Sequence, residues 1–460
     1  MSNNRHRDFV RTKVMIFAAA LLGLLFPLLS SAETAKSTAQ VVLLGPRHQV
    51  IAGLYQGLGG NASTAVFVMH ETDNFINSTP CLELAQRGFT ALCAKSQFAD
   101  QGRVNWDQLA LDVDYSVSYL RSLPGIKHVV LVGWSGGGAI MAYYQNVAEN
   151  GLAACQAAAR LDPCSNNLAG LPLADGVVLL DAIPGIAFVD MTALDPSVVE
   201  ADGLTRHRDE SLYLFNPANG YNSNQLQSST YSQQFIDKYT AAQADREAKL
   251  VTSAQRLQRQ IASGKADFPN DMPFPVGHDG ARIWQPDTNL LAHTKGAYPL
   301  ITPTNPSGTV QTIYSVRNPA ASGKHASTPK TNDPWGGKGN FTVKSFLSVA
   351  AIKAPGYRLT ADSIEGVDWA STNTATLSNV AGISAPLLIM SMTGHYWIVP
   401  SEMYYDAATQ APSKTLAYVE GATHGFTACT ACATTPGEFG DTVAETFNYV
   451  ANWAAQHYGT

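Results

Sequence analysis

A serine sits at the centre of Gly133-Trp134-Ser135-Gly136-Gly137, a G-x-S-x-G run with an apolar segment before it and a helical one after it. Val129, Val130, Leu131 and Val132 read as a fully buried strand, and Ala139, Ile140, Met141 and Tyr143 read as a helix. A strand that turns straight into a helix needs small residues two before and two after the turn residue. Gly133 and Gly137 supply them. The serine is then forced into a strained backbone conformation, with its Oγ exposed at the helix N-terminus beside the Gly136 N–H. The chemistry this permits is nucleophilic attack. A hydroxyl attacks poorly until a neighbouring base takes its proton, so the pattern calls for a histidine and a group to orient it.

The elements that must position such a site alternate along the chain. Residues 40–44 and 48–55 read as two strands, and residues 64–69 (TAVFVM) as a buried strand running into His70-Glu71-Thr72-Asp73-Asn74. A helix over 79–87 and a strand over 89–94 follow. Leu109, Val113, Val117 and Leu120 then recur at helical spacing behind Asn105, a plausible N-cap. After the serine segment come a strand at 175–180 ending in Asp181, a strand at 386–390, a helix around 402–409, a strand at 415–419 and a last helix at 442–457. Strands and helices alternating in this way indicate a doubly wound, mostly parallel sheet. Residues 186–380 break the alternation. One long helix stands out there, at 232–263, with Leu250, Ala254, Leu257 and Ile261 on one face; the remainder is rich in Pro, Gly, Asn and Thr. His278 and His293 lie in this stretch without a partner pattern and read as ordinary surface histidines.

The chain has 460 residues, 45% hydrophobic and 14% charged, with a net charge of −6, enough for one large domain carrying a sizeable insertion. The mild acidity gives no footing for nucleic acid or for an anionic membrane surface. At the N-terminus Arg5, Arg7, Arg11 and Lys13 precede an apolar run over 14–29, and Ser30-Ser31-Ala32 offers small residues for cleavage. This reads as a secretory signal peptide over residues 1–32, with no membrane anchor left after cleavage, so the mature protein is expected to be secreted or periplasmic. Six cysteines then fall into three local pairs: Cys81 with Cys93, Cys155 with Cys164, and Cys429 with Cys432. In an oxidising compartment neighbours of this kind form disulfides. A metal half-site at the CTAC sequence is the alternative for the last pair, but no second C-x-x-C or H-x-x-x-H accompanies it, so no metal is expected.

The serine segment resembles the nucleophile elbow of the α/β-hydrolase superfamily, and the likeness extends over about residues 40–185 and 380–460. It implies an α/β-hydrolase core over 33–185 and 381–460, with a large cap over 186–380 inserted after the sixth strand; an independent domain is the other reading of that insertion. It also implies a base just after the last core strand, where His424 lies in the loop Glu420-Gly421-Ala422-Thr423-His424-Gly425-Phe426. The acid is less regular. The loop after residues 386–390 has Tyr396 at the position where the superfamily commonly carries the acid, whereas some relatives place it at the end of the preceding strand, here Asp181. Glu402 is the alternative acid. The oxyanion hole is expected from the Gly136 N–H and one from Glu71 or Thr72, in a place where many relatives have His-Gly. Trp134, His395, Tyr396 and Trp397 would face the pocket and shape it.

The resemblance thus implies a secreted serine hydrolase that cleaves a small-molecule carboxylic ester or lactone through an acyl-enzyme on Ser135, without a cofactor. An acyltransferase using the same triad is the first alternative. A non-catalytic binding protein on the same scaffold is the second, disfavoured because Ser135 and His424 are both present.

Overall fold

Hydrophobic alternation along the central strands shows how the sheet is covered. In the computed structural model, strand β5 (His128–Trp134) sends Val129 and Leu131 into one buried cluster and Val130 and Val132 into another. Strand β3 (Thr64–Met69) divides Ala65, Phe67 and Met69 from Val66 and Val68 in the same way, and β6 (Gly176–Leu180) divides Val177 and Leu179 from Val178 and Leu180. Side chains alternate across a strand, so two apolar faces mean a sheet with helices on both sides. One face is covered by α2 (Trp106–Ser122), α3 (Gly136–Asn150) and α5 (Ile398–Ala407), and the other by α1 (Thr79–Gln86) and α6 (Thr442–Tyr458). Each fully buried Val or Leu contributes about 1.5–3 kcal/mol over leaving it in water.

The structure describes residues 39–57, 63–98, 104–198, 208–224, 226–276, 282–319 and 340–459. The expected signal segment, residues 1–32, and His278 lie outside them. Among the described residues no helix is long and apolar enough to cross a membrane.

The remaining strands are β1 (Ala39–Leu44), β2 (Val50–Tyr55), β4 (Thr90–Lys95), β7 (His293–Thr302), β8 (Asn305–Tyr314), β9 (Leu387–Met392) and β10 (Lys414–Val419). They form a ten-stranded sheet in the order β1-β2-β4-β3-β5-β6-β9-β10-β7-β8. From β4 to β7 every pairing is parallel; β2 joins β4 antiparallel, and antiparallel strands close both edges. A parallel sheet gathers the C-terminal strand ends on one rim. Ser135, Asp181 and His424 follow β5, β6 and β10 on that rim.

The insertion departs from the sequence expectation of a cap over 186–380. Strands β7 and β8 lie within it, yet β7 pairs in parallel with β10 and extends the core sheet. Pro299, Pro303, Pro306 and Gly308 make this hairpin look irregular in sequence, but Pro306 lies on the edge strand β8, and Pro299 precedes Leu300 and Ile301, the residues of β7 that pair with β10. Residues 37–460, the insertion included, fall into one compact unit. The long helix α4 (Gln233–Ala262) begins where expected, with the Ser232 side chain accepting from the Phe235 N–H at 3.2 Å. Helix α5 starts four residues before the sequence suggests, because Pro400 sits in its first turn, where its missing N–H costs nothing. The three local cysteine pairs are all disulfides.

Candidate active site

The turn at Ser135 is as tight as its glycines imply. Ser135 has φ 58° and ψ −126°, a region that a non-glycine residue occupies only under constraint, at a cost of about 1–3 kcal/mol. A Cβ at Gly137 would collide with the carbonyl oxygen of Met69 at the end of β3, and one at Gly133 with the backbone of Gly138. Two hydrogen bonds brace the strained residue. The Ser135 N–H donates to the Leu180 carbonyl at 3.2 Å, and the Ile183 N–H donates to the Ser135 carbonyl at 3.1 Å. Both partners flank Asp181, so the turn that carries the serine and the turn that carries the aspartate are tied to each other.

Asp181 is fully buried and has φ 45°, a left-handed conformation that aspartate tolerates better than most residues. Its Oδ2 lies 2.6 Å from Nδ1 of His424. On the other side, Oδ1 accepts from the Ser391 hydroxyl at 3.0 Å and from the Met392 N–H at 3.4 Å. Burial pushes this carboxyl up, but the imidazoles of His395 and His424 outweigh it and hold the group below the usual carboxylate range. His424 itself is held by its backbone: its carbonyl accepts from Nε1 of Trp134, the residue before the serine, at 2.8 Å. Downstream, Phe426 packs its ring 5.0 Å from that of Trp134, and the Cys429 N–H donates to the Gly421 carbonyl at 2.7 Å. The structure thus brings Asp181 and His424 into contact and ties the histidine loop to the residue preceding Ser135.

His395 is a partner the sequence reading placed differently, as a pocket-shaping residue. Its Nδ1 lies 2.6 Å from the same Oδ2 of Asp181, although without the angle of a hydrogen bond. Its ring stacks on that of His424 at 4.3 Å between centroids. Burial lowers its pKa to about 4 against the opposing pull of Asp181, which leaves the ring neutral at neutral pH. The position of a histidine in a loop carries no sign of this role in sequence; only the approach of β9 to β6 creates it. The Tyr396 ring is tilted against that of His395, 3.8 Å between centroids, and Trp397 lies 6.1 Å from Trp284 of the insertion. Trp397 is buried in the core, and Tyr396 is partly buried against it. Asp181, His395 and His424 are also the one group of His, Cys, Asp and Glu among the described residues whose donor atoms could share a cation; their 2.6 Å spacings are hydrogen-bond lengths.

Glu402, the alternative acid, is occupied elsewhere. Its two carboxylate oxygens accept the N–H groups of Lys295 at 3.0 Å and Gly296 at 2.6 Å, where β7 is bulged out of register with β8. A carboxylate clamped onto a bulge satisfies donors that the ladder leaves free.

The two expected second oxyanion donors also separate. The Thr72 N–H is committed to Nδ1 of His70 at 3.2 Å, whereas the Glu71 N–H has no acceptor among the described residues. The Glu71 carboxylate packs against Gly136, in the space a Cβ there would fill.

The strand order, the elbow after the fifth strand and the chain order Ser, Asp, His define the α/β-hydrolase fold. No family model and no curated protein matches the chain. Similar solved structures include a hypothetical protein from Pseudomonas aeruginosa, 13% identical with a TM-score of 0.40 and covering 92% of this chain and 94% of that one. The siderophore hydrolase EstB from Aspergillus fumigatus is 12% identical, with a TM-score of 0.42 over 93% of this chain and 99% of that one. Carboxyl esterase 2 from Tuber melanosporum is 10% identical, with a TM-score of 0.39 over 95% and 90%. At these scores the fold assignment rests on the chain's own topology.

Proposed function

We infer that the protein is an exported serine hydrolase that cleaves a carboxylic ester or lactone through an acyl-enzyme on Ser135. The observation that carries this reading is a buried, ionised Asp181 2.6 Å from His424 Nδ1, beside a serine held at φ 58° on a strand-to-helix turn. The aspartate fixes the tautomer with the proton on Nδ1, which leaves Nε2 free to act as base. Ser135 Oγ attacks the carbonyl carbon and passes its proton to Nε2. Negative charge develops on the carbonyl oxygen, where the N–H groups of Gly136 and Glu71 are its donors. Collapse of the tetrahedral adduct expels the alcohol, which takes the proton from His424. Water then attacks the acyl-enzyme by the same steps in reverse. No step in this sequence calls for a cofactor.

The rest of the insertion acts as a lid over the pocket, in this reading. In support, Ser315 and Val316 both bond the Thr393 carbonyl, the Ser315 hydroxyl also donates to the His395 carbonyl at 3.3 Å, and Trp284 packs on Trp397, so the insertion grips the loop that carries His395. Export is supported by the three disulfides together with the basic and apolar N-terminal sequence. The test is turnover of short-chain esters by wild type and by Ser135→Ala. Loss of several orders of magnitude in kcat with an intact fold is expected, and retained turnover overturns the reading.

A further inference from the structure

Helix α6 carries a feature that the proposed chemistry does not use. Tyr449, Asn452, Trp453 and Gln456 fall at i, i+3, i+4 and i+7, so they share one stripe of the helix. Where this stripe meets Thr415 of β10 and Ser307 of the edge strand β8, they line a groove of about 240 Å³. Asn452, Gln456 and Ser307 are exposed, so the groove is open to solvent. It lies far from Ser135. Thr415 is the second residue of β10 and His424 follows the last, so four residues of strand put about 13 Å between the groove and the catalytic rim. A Cβ at Gly176, the first residue of β6, would come within 3.3 Å of the Trp453 ring, whereas Asp181 follows the other end of that strand.

The lining is aromatic and polar but uncharged. Trp453 is 3% exposed and forms the floor, and its buried Nε1–H has no acceptor among the described residues. The side chains of Ser307, Thr415, Tyr449, Asn452 and Gln456 make no hydrogen bond among the described residues either. Neighbouring basic groups are engaged elsewhere: Lys414 Nζ donates to the Tyr405 carbonyl at 2.7 Å, and His457 Nε2 is 2.8 Å from the Ser413 hydroxyl. Without a fixed charge the groove has nothing to offset the desolvation of an ionic ligand. Amides and hydroxyls instead offer donors and acceptors side by side, and the aromatic rings offer an apolar face. A neutral sugar ring is complementary to both, with hydroxyls around its edge and C–H groups on its faces. The volume is below the about 300–1,000 Å³ of a drug-sized pocket, which suits a single ring.

We propose that this groove is a non-catalytic binding site for one unit of a neutral polysaccharide. The sugar ring lies on the Tyr449 and Trp453 side chains while Asn452, Gln456, Ser307 and Thr415 bond its hydroxyls, and the open sides let the chain continue into solvent. The site holds the protein on polymeric material and is independent of the acyl-enzyme reading of Ser135.

The experiment is native affinity electrophoresis through gels containing mixed-linkage β-glucan, arabinoxylan or galactomannan, with polygalacturonate as the charged control. Wild type should be retarded by at least one of the three neutral polymers and not by polygalacturonate. Asn452→Ala combined with Gln456→Ala removes two exposed side chains, so the fold is kept, and it should weaken that binding about tenfold or more. Ser135→Ala should bind as wild type does. Unretarded wild type in all three neutral gels overturns the proposal. So does retardation that the double variant retains in full, that Ser135→Ala abolishes, or that polygalacturonate matches. Fluorophosphonate labelling of the same samples keeps the two readings apart. Labelled Ser135 without retardation defeats the groove alone, whereas retardation with Ser135 unlabelled supports the groove and defeats the hydrolase reading.

Discussion

His395 makes the protein sensitive to acid in a way that can be worked out from its surroundings. A free histidine titrates near 6.5, and burial, against the opposing pull of Asp181, lowers His395 to about 4. A base whose pKa is lower in the folded chain than in the unfolded one binds its proton more readily when unfolded. Its neutral form is therefore compatible with the fold above about pH 6.5, and stability falls as the pH drops from there towards about 4. Between those limits the unfolded chain carries one more proton, so the slope is about 1.4 kcal/mol per pH unit, and the loss by pH 4.5 is about 2.5 kcal/mol. Asp181 does not blur this window. Its folded pKa is depressed, so its contribution is present above the usual carboxylate range and disappears only as the pH falls through the lower folded value. The assay is urea unfolding followed by tryptophan fluorescence at pH 7 and pH 4.5, with disulfides intact, for wild type and His395→Asn. The variant should lose about 2.5 kcal/mol less than wild type between the two pH values. An equal loss in both would refute the assignment of a buried neutral imidazole at position 395.

Other predictions concern the acid and the cysteines. Asp181→Asn should cut kcat by about 10⁴ with binding nearly intact, because an amide no longer fixes the His424 tautomer, and Glu402→Gln should keep kcat while lowering stability by about 1–2 kcal/mol. The reverse ranking on kcat would move the acid role to Glu402. Titration of the denatured, unreduced mature protein should find no free thiol, and recovery of six would contradict the disulfides and the export argument together.

Much of the core was legible because its signals are local. The buried runs at β3, β5 and β6 and the cap residues Asn105 and Ser232 state their structure within a few residues of sequence. The elbow was legible because its glycine spacing lies within five residues, although one of the contacts that require those glycines, Gly137 against the Met69 carbonyl, is long-range. The β7–β8 hairpin was not, since its prolines and glycine look like loop, and only pairing with β10, more than a hundred residues later, makes it sheet. The second histidine on Asp181 was hidden for a related reason. His395 and Asp181 are far apart in sequence and meet only through the parallel register of β9 and β6. Glu71 could be read as an unusual residue beside the oxyanion site, but whether its carboxylate faced in or out is decided by a rotamer that tertiary packing selects.

All of the proposed chemistry depends on Ser135 being the nucleophile. Fluorophosphonate labelling of the folded protein, followed by peptide mapping, tests it most directly. One adduct is expected, on the peptide containing Ser135, and it should vanish in Ser135→Ala. An adduct on a different residue, or none in wild type, would contradict it.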